Sequence, residues 1–213
     1  MPNTNRARNK DHRTRVGRER SARTETRILE AALEVFAEMG PDAPKIDDFV
    51  LAAGISRGTF YNYFDSVEEL LETTSEWTTR ELVQAIENAL DGIEGPVLRY
   101  GLGLRLFFAK AASDPVWSRF VARVWKVGGL EFPRRDIEAG LRSRVFRAPS
   151  AEVANDLLIG AVRQALLSIG SGRTHSAYVD QMTELCLQAL GTDAKKIAAT
   201  MKHELPPMTR KTR

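Results

Sequence analysis

Nine consecutive residues, Ser56 to Phe64 (SRGTFYNYF), concentrate side chains able to read a patterned polar surface. Arg57 carries a planar fork of N–H donors that fits the O6 and N7 acceptors of a guanine. Thr59 and Tyr61 can add contacts to a thymine methyl or a phosphate, while Asn62 and Tyr63 are placed for phosphates. Gly58 lets the start of a helix approach a surface closely. Phe60 and Phe64, at i and i+4, turn the other way, toward a core. A face of this kind suits the major groove of duplex DNA; packing alone is the alternative role for the Tyr-Asn-Tyr-Phe run.

Such a face needs a scaffold, and the flanking residues supply one. Ile46, Phe49, Val50 and Ala53 fall at i, i+3, i+4 and i+7, the apolar face of a first short helix. Gly54 tolerates the left-handed backbone that closes it, Ile55 anchors the turn, and Ser56 offers a hydroxyl to the free N–H groups of the next helix. The result is a helix-turn-helix. A bracing helix is predicted from near Thr24 to Met39, with Ile28, Leu29, Ala32, Leu33 and Phe36 on one face and a stop at Gly40-Pro41. Ser66 and Glu69 form a capping box that opens a long helix running to Leu90, roughly 36 Å at about 1.5 Å per residue.

The run AGISRGTFYNYFDSVEELL resembles the signature of the tetracycline-repressor (TetR-type) family of bacterial regulators. The resemblance covers the helix before the motif through Leu71, about a fifth of the chain. It implies that Arg57 and Tyr61, with Thr59, contact base edges and that Ser56, Asn62 and Tyr63 hold phosphates. Two departures stand out. Lys45 follows Pro44 where the family usually has a threonine, losing a capping hydroxyl and gaining a cation among the DNA-binding candidates. Val67 stands where the family usually has a lysine, removing one expected phosphate contact.

The net charge is +3 over 213 residues, but it is unevenly placed. Before Ile28, nine basic residues face three acids, a net of +6. From Ile28 to Asp65, Lys45 and Arg57 stand against seven acids, a net of −5. A motif domain this acidic is repelled by phosphate unless its acids face away and the arginine-rich arm supplies the attraction, along the backbone or in a minor groove. A solubilising tail is the other reading of that arm. A second basic run, Arg210 to Arg213, reads as a frayed end.

Beyond the motif the pattern is helix after helix, with no alternating-strand signal, so the expected fold is all-α: a three-helix head and a larger helical body. Helices are predicted over 96–112, 115–127, 134–146, 151–169, 175–190 and 193–202, punctuated by Asp114-Pro115, Gly128-Gly129, Pro149-Ser150, Gly170 to Gly172 and Gly191. The expected divisions are a basic flexible arm (1–22), a DNA-binding domain (23–66), an effector-binding and dimerisation domain (67–204) and a basic tail (205–213). Phe107, Trp117, Phe120, Arg123 and Trp125 are the candidate lining of an effector pocket, although an aromatic stripe at helical spacing is more often ordinary core. The last two long helices carry wide apolar faces. In relatives, the resemblance implies, those helices pair across a two-fold axis; packing inside one monomer is the alternative.

One cysteine, Cys186, excludes an internal disulfide and reads as a small buried apolar residue. No apolar run reaches 18 residues and no signal-peptide pattern is present, so a cytoplasmic chain with no membrane partner is expected. Three histidines without metal-ligand spacing, and the lack of a phosphate loop, nucleophile elbow or CxxC, point away from an enzyme; no cofactor or metal is expected. The partners expected are a palindromic duplex operator, a second copy of the chain and a small-molecule effector that releases a repressor. A constitutive or architectural DNA-binding protein is the alternative.

Overall fold

A computed structural model describes residues 4–124 and 134–208, with side chains from Val16 onward. No strand occurs among the described residues. Ten helices are described: α1 (Thr4–Met39), α2 (Ile46–Ala53), α3 (Arg57–Tyr61), α4 (Val67–Ala89), α5 (Pro96–Ser113), α6 (Pro115–Val124), α7 (Arg134–Arg142), α8 (Ala151–Gly170), α9 (Tyr178–Ala189) and α10 (Ala194–Lys202). They form two compact units, residues 1–74 and 75–213, with the boundary inside α4.

The helix starts and stops follow from local chemistry. Gly54 closes α2 at φ 61°, ψ 44°, with its N–H on Leu51 O and that of Ile55 on Val50 O. The Ser56 hydroxyl accepts the Thr59 N–H at 3.0 Å, opening α3. The Glu69 N–H donates to Ser66 Oγ at 3.1 Å, as the capping box requires, but the Glu69 carboxylate accepts from Asp65 N rather than from Ser66 N. At α2 no side-chain hydroxyl meets the Asp48 N–H, which donates instead to the Lys45 carbonyl at 2.9 Å, while the reciprocal half of a capping box is present: the Asp48 carboxylate accepts the Lys45 N–H at 2.7 Å. Asp114, Ser150 and Asp193 likewise cap α6, α8 and α10.

Several predicted boundaries shift: α7 ends at Arg142 rather than 146, α9 begins at Tyr178 rather than 175, and the largest change is in α1. The bracing helix begins at Thr4, not near Thr24, so the stretch expected to be a flexible arm is helical from residue 4. Residues 4–27 hold no proline, one glycine and eight arginines, a composition that propagates a helix once the segment from Ile28 is docked.

In the first unit α1 packs against α2 and α2 against α3. Ile28, Leu29, Ala32 and Phe36 of α1 meet a core of Phe49, Ala53, Phe60, Phe64 and Leu70, all buried, with the Phe36 and Phe49 ring centroids 4.9 Å apart. In the second unit α5 is surrounded by α6, α7, α8, α9 and α10. Gly140 permits one close approach, since a Cβ there would lie 2.0 Å from the Phe146 ring. The α4–α5 turn is held by Arg99, which donates to the carbonyls of Leu90 (2.9 Å) and Ile93 (3.3 Å) while pairing with Glu87 and the buried Asp136. Burial pushes the Asp136 carboxyl up, against the pull of Arg99 and Arg135. Cys186 is buried and free, and burial pushes its thiol up to about 11. No helix among the described residues is long and apolar enough to cross a membrane.

Candidate nucleic-acid interface

The short helix α3 separates its side chains by chemistry. Phe60 and Phe64 are buried, whereas Arg57, Gly58, Tyr61 and Asn62 are exposed and Thr59 and Tyr63 half-buried. Phe60 is the pivot, in edge contact with Tyr61 at 5.6 Å and tilted against Phe64 at 6.1 Å. The polar face is thus fixed by an apolar one beneath it. Lys45 is exposed at the start of α2.

Gly58 is informative because the fold does not require it. Its backbone is not left-handed, and a Cβ built there would meet only Ser56 Oγ, at an ordinary 3.8 Å. No close contact therefore opposes a Cβ at this position, while a glycine near the start of a helix costs stability.

The residues assigned to phosphates are brought together with α1. A cleft of about 630 Å³ is walled on one side by Gly17, Arg20, Ser21, Thr24 and Arg27, and on the other by Gly54, Ile55, Ser56, Thr59, Asn62 and Tyr63. Its lining holds two guanidinium groups and no carboxylate. The Tyr63 hydroxyl bridges the walls, lying 3.2 Å from Ser21 Oγ and 3.3 Å from the Ser21 carbonyl. Ser56 Oγ and Thr59 Oγ1 are 2.9 Å apart. The α1 wall was missed by sequence reasoning, although Gly17, Arg20, Ser21, Thr24 and Arg27 fall at i, i+3, i+4, i+7 and i+10, one face of a helix.

Arg57 is engaged in a way the sequence did not suggest. Its Nε and Nη2 donate to Asp47 Oδ1 and Oδ2 at 2.7 and 2.6 Å, although both side chains are largely exposed. The hydrogen bond from Arg57, with its charge, holds the Asp47 carboxyl below the usual carboxylate range. The pair persists through neutral pH and is lost as pH falls through that lowered value.

In the second unit the candidate effector residues fall into three groups. Phe107, Trp117 and Phe120 are buried, with Phe107 and Trp117 edge to face at 5.3 Å. Arg123 is exposed, and Trp125 lies outside the described residues. A separate apolar groove of about 330 Å³, which sequence reasoning did not find, lies between the start of α5 and α10, lined by Pro96, Val97, Leu98, Val145, Ala199 and Thr200, with Lys196 and His203 at its polar margin. The apolar residues of α8 and α9 divide between two faces. Leu158, Ala165, Leu166, Ile169 and Cys186 are buried, while Val153, Leu157 and Leu185 are each more than half exposed.

Residues 28–74 match the family described as bacterial regulatory proteins, tetR family. The chain is 27% identical over 199 residues to the HTH-type transcriptional regulator EthR of Mycolicibacterium smegmatis, covering 90% of each chain. It is 40% identical over 68 residues to an uncharacterized HTH-type transcriptional regulator, YvdT of Bacillus subtilis, covering 32% of this chain and 35% of that one. The fold is similar to that of RolR in complex with the ligand resorcinol, at a TM-score of 0.61 and 21% identity, over 90% of this chain and 99% of that one. A helix-turn-helix with a polar face locked over an apolar core, matched by sequence where that face lies, identifies residues 28–74 as a DNA-binding domain of the tetR family of bacterial regulatory proteins, in a chain whose curated relatives are HTH-type transcriptional regulators.

Proposed function

We propose that the protein acts as a homodimeric repressor on a palindromic operator and is released by a small, partly apolar molecule bound in its second unit. Gly58 carries the DNA-facing half of this reading: the fold has room for a Cβ there, and the glycine leaves the start of α3 bare for close approach by an external surface. Arg57, Thr59 and Tyr61 then meet base edges, and the cleft with Arg20, Arg27, Ser56, Asn62 and Tyr63 takes backbone phosphates. The acidic residues of the motif domain need this positive wall, since neither Lys45 nor Arg57 lines the cleft.

Dimerisation rests on Val153, Leu157 and Leu185, an apolar surface left by two helices whose inward faces already form core. Two heads reading successive major grooves need centres about 34–36 Å apart, and a two-fold assembly supplies such a spacing. The effector reading rests on the buried aromatic side chains Phe107, Trp117 and Phe120 and on the apolar groove beside α10. Thermodynamic reciprocity gives its test: an effector raises the melting temperature and releases DNA with one midpoint, and a compound that stabilises without releasing DNA is not the effector.

Gly58→Ala tests the DNA-facing reading directly. Stability is expected to hold or to rise by up to about 0.5–1 kcal/mol, because alanine is the better helix residue. Affinity for an operator selected from random duplexes by the wild-type protein should fall by at least about ten-fold, or 1.4 kcal/mol. Undiminished affinity would mean that α3 does not lie against the duplex.

A further inference from the structure

We infer that Asp47 is a positioning residue for sequence specificity: it aims the guanidinium of Arg57, so that the free edge of the fork is presented to a guanine before DNA arrives. The inference rests on the reading of Arg57 as a base contact.

The geometry of the pair carries it. Asp47 lies in the first turn of α2 and Arg57 is the first residue of α3, so the bond spans the two helices of the motif. Two of the five guanidinium N–H groups, on Nε and Nη2, are taken by the carboxylate in a side-on bidentate contact. The end-on edge, with one N–H on each terminal nitrogen, stays open. That edge matches the paired O6 and N7 acceptors of guanine, and its plane is set by the Asp47 carboxylate.

Three considerations separate this role from that of a surface brace. The side chains of Arg57 and Asp47 are 61% and 66% exposed, and ion pairs at such exposure add little to stability. A carboxylate beside a DNA-reading arginine repels phosphate, so its presence weakens binding to every sequence alike unless it sharpens the choice among them. Finally, a free arginine loses much rotamer freedom when it docks, whereas a pinned fork has lost it already. The neighbouring acid offers no substitute, since the Asp48 carboxylate is bonded to the Lys45 N–H.

The experiment uses the full chain and the operator selected from random duplexes by the wild-type protein. Wild type, Asp47→Ala, Arg57→Ala and the double variant are titrated against that operator, against operators with each guanine replaced in turn, and against a random duplex. Melting curves control for folding. Arg57→Ala should abolish discrimination at one guanine per half-site, by about ten-fold or more. Asp47→Ala should reduce discrimination at the same guanine by a similar factor while tightening the random duplex, and should change nothing further at that base when Arg57 is already alanine. Asp47→Glu, which keeps the carboxylate on a longer stem, should retain part of the discrimination.

If Asp47→Ala tightens the operator with discrimination intact, the carboxylate restrains Arg57 rather than aims it, and the inference falls. Discrimination unchanged from wild type, with or without tighter random binding, also overturns it. If Arg57→Ala keeps every guanine preference, the base-contact reading of Arg57 fails first and removes the role of Asp47 with it; that signature differs from a failure of Asp47 alone.

Discussion

The polar face of α3 and the aromatic residues of α5 and α6 were both singled out from the sequence, yet the structure treats them oppositely. On α3 and at its C-cap, Arg57, Gly58, Tyr61 and Asn62 are exposed, and a Cβ at Gly58 would meet no close contact. In the second unit Phe107, Trp117 and Phe120 are almost wholly buried, so each fills core whatever else it does. Exposed side chains clustered on one short helix are free to meet a partner, whereas buried ones are already committed to packing. A recognition surface is therefore easier to assign than a ligand pocket built of the same residues as the core around it.

The sharpest way to break this contrast is to exchange the two kinds of residue. Phe60→Ala, which removes a fully buried ring beneath the polar face of α3, should cost roughly 3–5 kcal/mol in denaturant unfolding and abolish DNA binding with it. A well-folded Phe60→Ala that still bound its operator would show that the polar face does not depend on the core below.

An intermediate effect is expected at the exposed apolar residues of α8 and α9, which belong to neither class. Leu157→Asp combined with Leu185→Asp should leave helix content intact, convert the protein to a monomer in light scattering, and weaken operator binding by at least about a hundred-fold, since one head alone makes too few contacts. A dimer that survives both substitutions would move the interface elsewhere.

The smallest effect sharpens the comparison within the first unit. Arg20→Ala should not alter melting or base preference, but should flatten the dependence of log K on log salt by about 0.9, the loss of one phosphate contact. A slope unchanged from wild type would separate the cleft from the DNA backbone.

Much of the first unit was legible because its signals are local. The left-handed Gly54, the Ser56 cap and the Phe60–Phe64 spacing each specify geometry within a few residues, and each stands where predicted. What escaped needed partners distant in sequence. The Asp47–Arg57 bond joins residues ten apart across a turn, and the Arg20 wall becomes visible only once α1 is known to continue as helix through that stretch. The bond from the Lys45 N–H to the Asp48 carboxylate, which ties down the start of α2 without an N-cap hydroxyl, was also not anticipated. In the second unit the periodicity of α8 correctly marks a helix but blends two faces, since Leu157 and Leu158 are adjacent in sequence and opposite in exposure. Hydrophobic pattern reports that a face is apolar; it does not say whether that face meets its own chain.

Arg99 sets the dynamic character of the connection it holds. A link of six residues between helices ordinarily opens freely, and its amides exchange with solvent almost as fast as those of an unfolded chain. Here the carbonyls of Leu90 and Ile93 are both tied to one guanidinium that is itself anchored on Glu87 and Asp136, and the Ile93 amide is bonded to Leu90 O at 3.1 Å. Residues 90–95 therefore open with the second unit rather than ahead of it, and in a protease digest this link resists nicking for as long as α5 and α7 stay folded.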